Sequence, residues 1–464
     1  MKKNISTLFS AVALVAALGT PVGAAAAAVV ATAATAESSS NWPQFRGPGG
    51  AGVSANPNLP GRWSATDNVA WKADVPGRGW SSPIVWGNRV FLTTAVSLGE
   101  SEAPKKGLYL GGERPQPKTE YEWKVVCLDL ATGKTLWERL ARRGLPQNPV
   151  HLKNSYASET PVTDGERVYA CFGNVGVFCF DLDGKPVWSF PLEPRKMRNG
   201  WGTAASPALF QDRLYLVRDN DERSVLLALD ARTGKQLWEV ERDEKSNWAS
   251  PFVWDNGARV ELVTAGTGAV RAYDLAGKPL WSLRGMSKIA IPTPVAGDGL
   301  LFVSSGFVMD KLRPLYAIQP GASGDISLKA GETSSTAMAW SKPTGGPYNP
   351  SPLYYDHHLY VLYDRGTISC FDAKTGKALY EGQRLPEGRA FTSSPWACGG
   401  HVFCLSEDGV ACVLRAGDQF EILRTNPLAG DDMCMATPAM AGDRLLIRAS
   451  ARVYCICGHE EKGR

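Results

Sequence analysis

The side chains best equipped for chemistry in this chain sit in eight short segments. They read Arg78-Gly79-Trp80, Asn154-Ser155-Tyr156, Asn199-Gly200-Trp201, Asn247-Trp248, Lys288-Ile289, Tyr348-Asn349, Arg389-Ala390-Phe391 and Asp431-Asp432-Met433. Aromatic rings alternate with amides and charges. Gathered in one place, the rings would stack on a flat or apolar ligand while the polar groups fix its orientation. The candidate set is Trp80, Asn154, Tyr156, Asn199, Trp201, Trp248, Lys288, Asn349, Arg389 and Asp432. The competing reading is structural: the rings wedge neighbouring elements and the asparagines cap turns. No catalytic residue and no metal set is assigned. Asn154 and Asn199 suit a hard cation, but nothing in their spacing requires one. Asp219-Asn220-Asp221-Glu222 resembles half a calcium loop without its Gly and terminal Glu, and reads as solvated loop. The histidines, His151, His357, His358, His401 and His459, show no zinc spacing, and His357-His358 reads as surface turn. Neither a phosphate loop nor a nucleophile elbow is present.

These segments are placed by a repeat. Each lies just before a proline: Pro83, Pro161, Pro207, Pro251, Pro294, Pro352, Pro395 and Pro438. After a first interval of 78 residues the prolines recur every 43 to 58. Ala205 to Trp238 shows the unit. Ala208–Phe210 is a short apolar strand, 213–217 a second, 225–230 a third, and 236–238 a fourth after the turn Thr233-Gly234-Lys235. Four strands per forty-odd residues indicate a β-propeller, and eight starts indicate eight four-stranded antiparallel blades. The last repeat supplies only three strands. Asn68 to Lys72 matches the outer-strand pattern and is expected to close the ring, leaving no open edge. Blade-to-blade connections and second-to-third-strand loops share one face, so the eight segments should ring the mouth of the channel. The blade 1 insertion, between about Thr94 and Lys124, emerges on that face and could cover it. A second excess lies at 321–336. The Gly/Pro-rich lead-in Asn41 to Gly50 is expected to lie extended on the surface, pinned by Trp42 and Phe45.

An aromatic closes each outer strand: Trp137, Trp188, Trp238, Trp281, Trp340 and Tyr380, with Trp71 for the closing blade and Phe420 or Ile422 as the weakest match in blade 7. These rings are read as packing between blades, not as cofactor contacts. Ala228-Leu229-Asp230-Ala231-Arg232-Thr233-Gly234-Lys235-Gln236-Leu237-Trp238 resembles the tryptophan-docking motif of the pyrroloquinoline-quinone (PQQ) repeat propellers, with Cys127 to Trp137 and Cys370 to Tyr380 as variants. The resemblance spans about 68 to 457. That superfamily includes quinoprotein alcohol dehydrogenases and the propeller scaffold of the outer-membrane β-barrel assembly machinery. The motif is a packing device and speaks for fold more than chemistry. The resemblance implies, for a dehydrogenase, a catalytic Asp, a calcium ion held by Glu, Asn and the quinone, and a disulfide of adjacent cysteines. Here no cysteines are adjacent; Cys455-x-Cys457 is nearest, and the rim carboxylates are Glu159, Asp431 and Asp432.

Residues 1–36 read as a secretory signal peptide: Lys2-Lys3, the apolar run Leu8 to Leu18, and small residues to Ala36. No cysteine precedes Cys127, so no lipid-attachment site is present, and no Arg-Arg pair begins the chain. The division expected is signal peptide 1–36, lead-in 37–67, propeller 68–457 and tail 458–464. The formal charge is +4, without a block of like charge that would suggest nucleic acid or a membrane surface. Ten cysteines would suggest disulfides in an exported protein. Cys127, Cys179, Cys370, Cys412 and Cys455, however, share one third-strand position with Ala228, Ala272 and Ala317, which reads as a buried small-residue site. Pairing of Cys398 with Cys404, or of Cys434, stays open. The function expected is a non-enzymatic, exported, monomeric scaffold offering its rim to an envelope protein or small ligand, with no cofactor. The alternatives are a PQQ- and calcium-dependent dehydrogenase and a carbohydrate binder stacking sugars on Trp80, Trp201 and Trp248.

Overall fold

The computed structural model describes residues 41–108, 111–430 and 432–458. The expected signal peptide, Asp431, His459 and nearly all of the expected tail lie outside them. An innermost strand follows each opening proline at once: Ile84–Trp86, Val162–Thr163, Ala208–Phe210, Phe252–Asp255, Val295–Gly297, Leu353–Tyr355, Trp396–Cys398 and Ala439–Ala441. Seven sheets then run outward in chain order. The eighth is completed from the other end of the chain, where Val69–Asp74 pairs antiparallel with Arg452–Cys457 and Trp71 sits opposite Cys455. The result is an eight-bladed propeller. Second strands lie between neighbouring blades and read as continuous apolar runs, as in Leu300–Ser304. Outer strands face water on one side, and their burial alternates, as in Pro186–Pro191.

Two sets of contacts hold the blades together. The first is aromatic and lies near the outside. The indole N–H of Trp71 donates to the carbonyl of Leu130, that of Trp137 to Leu182, Trp188 to Ala231 and Trp340 to Ala373, at 2.9–3.0 Å, each one blade ahead. The ring lies on the turn glycine of that blade. A Cβ on Gly133, Gly234 or Gly376 would meet the indole at 2.5 Å, and all three hold positive φ. A ring of this size buries on the order of 150–250 Å², or about 4–6 kcal/mol before ordering costs. The second set is polar and lies at the axis. The residue before every opening proline is a serine or threonine. Its hydroxyl oxygen accepts the backbone N–H of its counterpart in the preceding blade. Among the described residues six such links join Ser82 to Thr160, Thr160 to Ser206, Ser206 to Ser250, Thr293 to Ser351, Ser351 to Ser394 and Ser394 to Thr437, at 2.9–3.0 Å.

The departures have local causes. Blade 5 carries its excess where the docking glycine turn belongs. Trp281 therefore turns its N–H to Glu261 of its own blade at 2.6 Å. Part of that excess, Gly324–Asp325, pairs parallel with the outer strand of blade 4 and adds a fifth strand there. In blade 7 the register places Val413, not Cys412, opposite Phe403, and Arg424 opposite Val413. The outer aromatic expected at Phe420 or Ile422 is therefore an arginine, and Cys412 lies one residue off the shared position. Phe420 instead meets Tyr380 at 5.6 Å. Cys127, Cys179, Cys370 and Cys455 do face the docking aromatics. All ten cysteines are free thiols, so neither Cys398 nor Cys434 is paired. Burial pushes the Cys127, Cys179 and Cys370 thiols up to about 12, which keeps them protonated and inert.

Trp71→Ala should cost about 3–5 kcal/mol, because a large buried ring is lost where the chain ends meet. Denaturant unfolding checks this, and Leu136→Ala, at an exposed outer position, should leave the midpoint in place.

Candidate functional site

The segments before the prolines converge on a cavity of about 250 Å³ at the channel mouth. Every blade contributes. Trp80 comes from blade 1, Asn154 from blade 2, Trp201 from blade 3 and Trp248 from blade 4; Ile291, Asn349, Thr392 and Met435 come from blades 5 to 8. The lining is mainly aromatic and aliphatic. Trp201 and Trp248 lie 6.1 Å apart at 37°, and His151 meets Trp201 edge-on at 5.5 Å. Burial, with Lys153 and Arg114 nearby, pushes the His151 imidazole down to about 4, so it is neutral at pH 7.

Of the ten candidate residues, Trp80, Asn154, Trp201, Trp248 and Asn349 line this cavity. The other five lie elsewhere. Tyr156 faces a second cavity of about 310 Å³, beside Arg78, Arg114 and Tyr121. Asn199 holds a turn at φ 52, and its carbonyl accepts the N–H of Arg114 at 3.0 Å. The Lys288 side chain is 75% exposed and 3.8 Å from Asp310. Arg389 is exposed. Asp432 is buried against Tyr454, whose hydroxyl donates to it at 2.6 Å, and lies 3.0 Å from Arg452.

Most polar groups at the mouth are already engaged. Asn154 donates to the carbonyls of Trp201 and Thr203 at 2.8 and 3.0 Å and accepts from Ser155 and Ser158. It ties blade 2 to blade 3 rather than waiting for a cation. Asn349 donates to Asp364, whose carboxylate also accepts the N–H groups of Tyr348 and Asn349. Trp248 donates to the Gly202 carbonyl at 2.7 Å. The exception is Trp80: its indole is 7% exposed, and its N–H has no partner.

Sequence reasoning missed the charged pair of the site. Glu407, on the second-to-third-strand loop of blade 7, is fully buried and pairs with Lys153 of blade 2. Thr392 donates to Glu407 at 2.6 Å. The blade 1 insertion locks onto this pair. Its Gly107 N–H donates to Glu407 at 3.0 Å, and its Gly107 carbonyl accepts from Lys153 at 2.9 Å. Farther along, Gly111 donates to His151, and Arg114 N–H to the Asn199 carbonyl. The insertion thus spans from blade 7 to blades 2 and 3 over the mouth, with Leu108 lining the cavity beneath. The available signal was topological, since loops of Glu407's class share the face of the candidate segments.

The opposite end is crossed by the lead-in, which corrects its expected place on the surface. Trp42 bridges to Val85 in blade 1, and the Pro43 carbonyl accepts from Thr163 in blade 2. The chain then crosses to Pro352 in blade 6 and Ala397 in blade 7. Trp42 and Arg46 are buried because they lie against innermost strands. The solvated-loop reading of 219–222 is also corrected at its start. Asp219 is buried and takes two hydrogen bonds from Arg242, at 2.8 and 3.0 Å, with a third from Asn247. Among the described residues no three His, Cys, Asp or Glu side chains gather as a metal set.

The model of the family described as "Outer membrane protein assembly factor BamB" (PQQ_2) matches residues 122–253, 176–322 and 266–462. The chain belongs to the PQQ_2 family. The curated BamB of Burkholderia pseudomallei (strain K96243) is 25% identical over 205 residues, which is 39% of this chain and 50% of that protein. The chain therefore spans about half the length of that relative. Among solved structures, BamB from Moraxella catarrhalis aligns with TM-score 0.51 at 14% identity, over 79% of this chain and 99% of that one. A europium-containing methanol dehydrogenase aligns with TM-score 0.59 at 10% identity, over 91% and 99%. The quinohemoprotein alcohol dehydrogenase of Comamonas testosteroni aligns with TM-score 0.58 at 13% identity, over 93% and 83%. At these identities the likeness is one of fold.

Two outcomes follow from the buried carboxyls. Glu407→Gln leaves Lys153 buried without its counter-charge, which costs about 3–5 kcal/mol locally; limited proteolysis should then cut within 98–120 faster than in the parent. Burial also pushes Glu159, a hydrogen-bond partner of Thr203, up to about 7 from 4.5. The unfolded chain releases this proton first, so the folded state is favoured at low pH and loses stability as pH rises from 4.5 through about 7. The full loss is about 3 kcal/mol. Glu159→Gln should flatten that part of the stability–pH curve, read by thermal melts between those limits.

Proposed function

We propose that this protein is an exported, non-enzymatic propeller scaffold whose mouth holds a segment of an envelope protein partner. The observation that carries the reading is the mouth itself. Eight blades place one aromatic-lined cavity on a ring whose polar groups are spent on holding loops in position. Such a surface is built in advance, so binding costs little ordering entropy. The family's description as an outer membrane protein assembly factor supports an envelope setting. The signal-peptide pattern of residues 1–36 supports export. Among the described residues no helix is long and apolar enough to cross a membrane.

The dehydrogenase reading finds less support in the side chains. PQQ is a flat tricarboxylate, and a calcium ion beside it needs free oxygen donors. The cavity lining offers one ammonium, Lys153, already engaged with Glu407 and Gly107. The amide of Asn154 is spent between blades. These residues do not fit the quinone–calcium pair. A small-ligand reading, including a sugar on Trp80, Trp201 and Trp248, is favoured by the three indole rings that line the cavity.

Affinity capture from envelope extracts tests the proposal. A stoichiometric partner is expected on the parent protein and lost, by at least tenfold, on a Trp201→Ala/Trp248→Ala variant that still elutes as the folded monomer. Equal recovery on both proteins, or recovery of the propeller alone, sinks it. Retention of PQQ absorbance through gel filtration with calcium would favour the dehydrogenase instead.

A further inference from the structure

The cavity of about 310 Å³ that Tyr156 faces lies between the blade 1 insertion and blades 1 and 2, and shares only His151 and Asn154 with the mouth. Two arginines stand on its wall, each placed by backbone contacts. Arg78 exchanges both backbone hydrogen bonds with Ala95, at 3.0 Å. That close approach needs Gly77, which holds φ 79 and where a Cβ would meet the Ala95 carbonyl oxygen at 2.5 Å. Arg114 gives its backbone N–H to Asn199 at 3.0 Å and its Nε to the Val150 carbonyl at 3.2 Å. Glu102 then draws the two guanidinium groups together. Its carbonyl accepts Nη2 of Arg78, and its carboxylate accepts Nη2 of Arg114, each at 2.5 Å.

What is left over is a set of donors. Among the described residues nothing accepts from Nε or Nη1 of Arg78, from Nη1 of Arg114, or from the hydroxyls of Tyr121 and Tyr156. All of these atoms are accessible, unlike the sealed Nε and Nη1 of Arg46. Arg114 pairs with Glu102, whereas no carboxylate among the described residues pairs with Arg78. Burial lowers the Arg78 guanidinium from its ordinary value, with Tyr121 and Glu102 in weaker opposition. The charged side chains around the cavity are Arg78, Arg114 and Lys118 against Glu100 and Glu102. His151 is neutral, so the lining keeps one positive charge. The Tyr121 and Tyr156 rings meet edge to face at 4.8 Å and 64°, and supply an apolar wall beside the donors. A cavity of about 150 Å³ suffices for a benzene ring, so this one has room for a ring and its acid group.

We propose that this cavity binds a monocarboxylate with a flat apolar body, its oxygens held by Arg78, Arg114 and the tyrosine hydroxyls and its body against the Tyr121 and Tyr156 rings. Guanidinium donors match the two oxygens of a carboxylate. The single positive charge of the lining favours one carboxylate over a dianion such as phosphate. The site stands beside the mouth and does not rest on what the mouth binds.

Isothermal titration calorimetry of the full protein, at fixed ionic strength, tests this with benzoate, N-acetylphenylalanine, benzamide and inorganic phosphate. At least one of the two acids should bind one to one, and more tightly than benzamide or phosphate. Benzoate ahead identifies a free aromatic acid; N-acetylphenylalanine ahead identifies the carboxyl end of a peptide. Arg78→Met should weaken the bound acid by about tenfold or more, the worth of a hydrogen bond to a charged group. Tyr121→Phe, which keeps the ring, should weaken it less, and Lys288→Met, outside the cavity, should leave it unchanged. No binding of either acid, benzamide bound as tightly as the acids, phosphate ahead of both, or undiminished binding by Arg78→Met overturns the proposal. Should Arg78→Met fail to fold, saturation-transfer NMR on the parent decides: transfer to both acids no greater than to benzamide at equal millimolar concentration overturns it equally.

Discussion

Hydroxyl oxygens at the heads of the innermost strands accept amide N–H groups from the preceding blades, and these hydrogen bonds, six of them among the described residues, set the geometry of the axis. A backbone N–H buried beside the channel needs an acceptor. The proline that follows each hydroxyl residue has no N–H of its own to satisfy. The pair Ser/Thr-Pro thus serves both needs, one residue linking two blades and the next starting a strand. The docking indoles repeat the same logic farther out, each giving its N–H and its ring to the next blade. Both sets are interrupted, the indoles at Trp281, which turns to its own blade, and at Arg424 in blade 7, and closure adds contacts that single out the ends.

Closure comes from the strand carrying Trp71 and from a buried arginine. Arg448 of blade 8 donates to the carbonyls of Ser81 and Thr93 in blade 1, and to the Ser81 hydroxyl. These contacts join residues more than 350 apart in the chain. They lie directly beside Trp80, so the junction of first and last blades is also one wall of the mouth. The site inherits its rigidity from the seam. The same economy appears at Asn154 and Asn349, whose amides order the rim instead of standing free for a ligand. What remains open to a partner is chiefly ring surface.

Much of the fold was legible because its determinants are local and repeated. Proline spacing predicted every innermost strand, and the surplus outer-strand pattern at Asn68 to Lys72 predicted the closing strand. The site was legible only in part. Trp80, Trp201 and Trp248 were found because position before a proline is a sequence property. Glu407 was not, because its importance arises from Lys153, 254 residues away. Cys412 and Arg424 show a finer point: the shared position is fixed by pairing with the second strand, which puts Val413 opposite Phe403 as it puts Cys370 opposite Tyr360, whereas the presence of a cysteine pointed one residue away.

The amino-acid sequence by itself determined the number of blades, the order of strands within them and most of the residues that dock blade to blade, because each rests on short-range patterns repeated around the ring. The tertiary structure alone decided which polar groups are spent, that the insertion roofs the mouth, and that the lead-in enters the channel rather than lying outside. Those outcomes depend on pairs such as Lys153 with Glu407 and Arg46 with Pro352. Such pairs form only when the ring closes and brings distant loops within hydrogen-bonding reach.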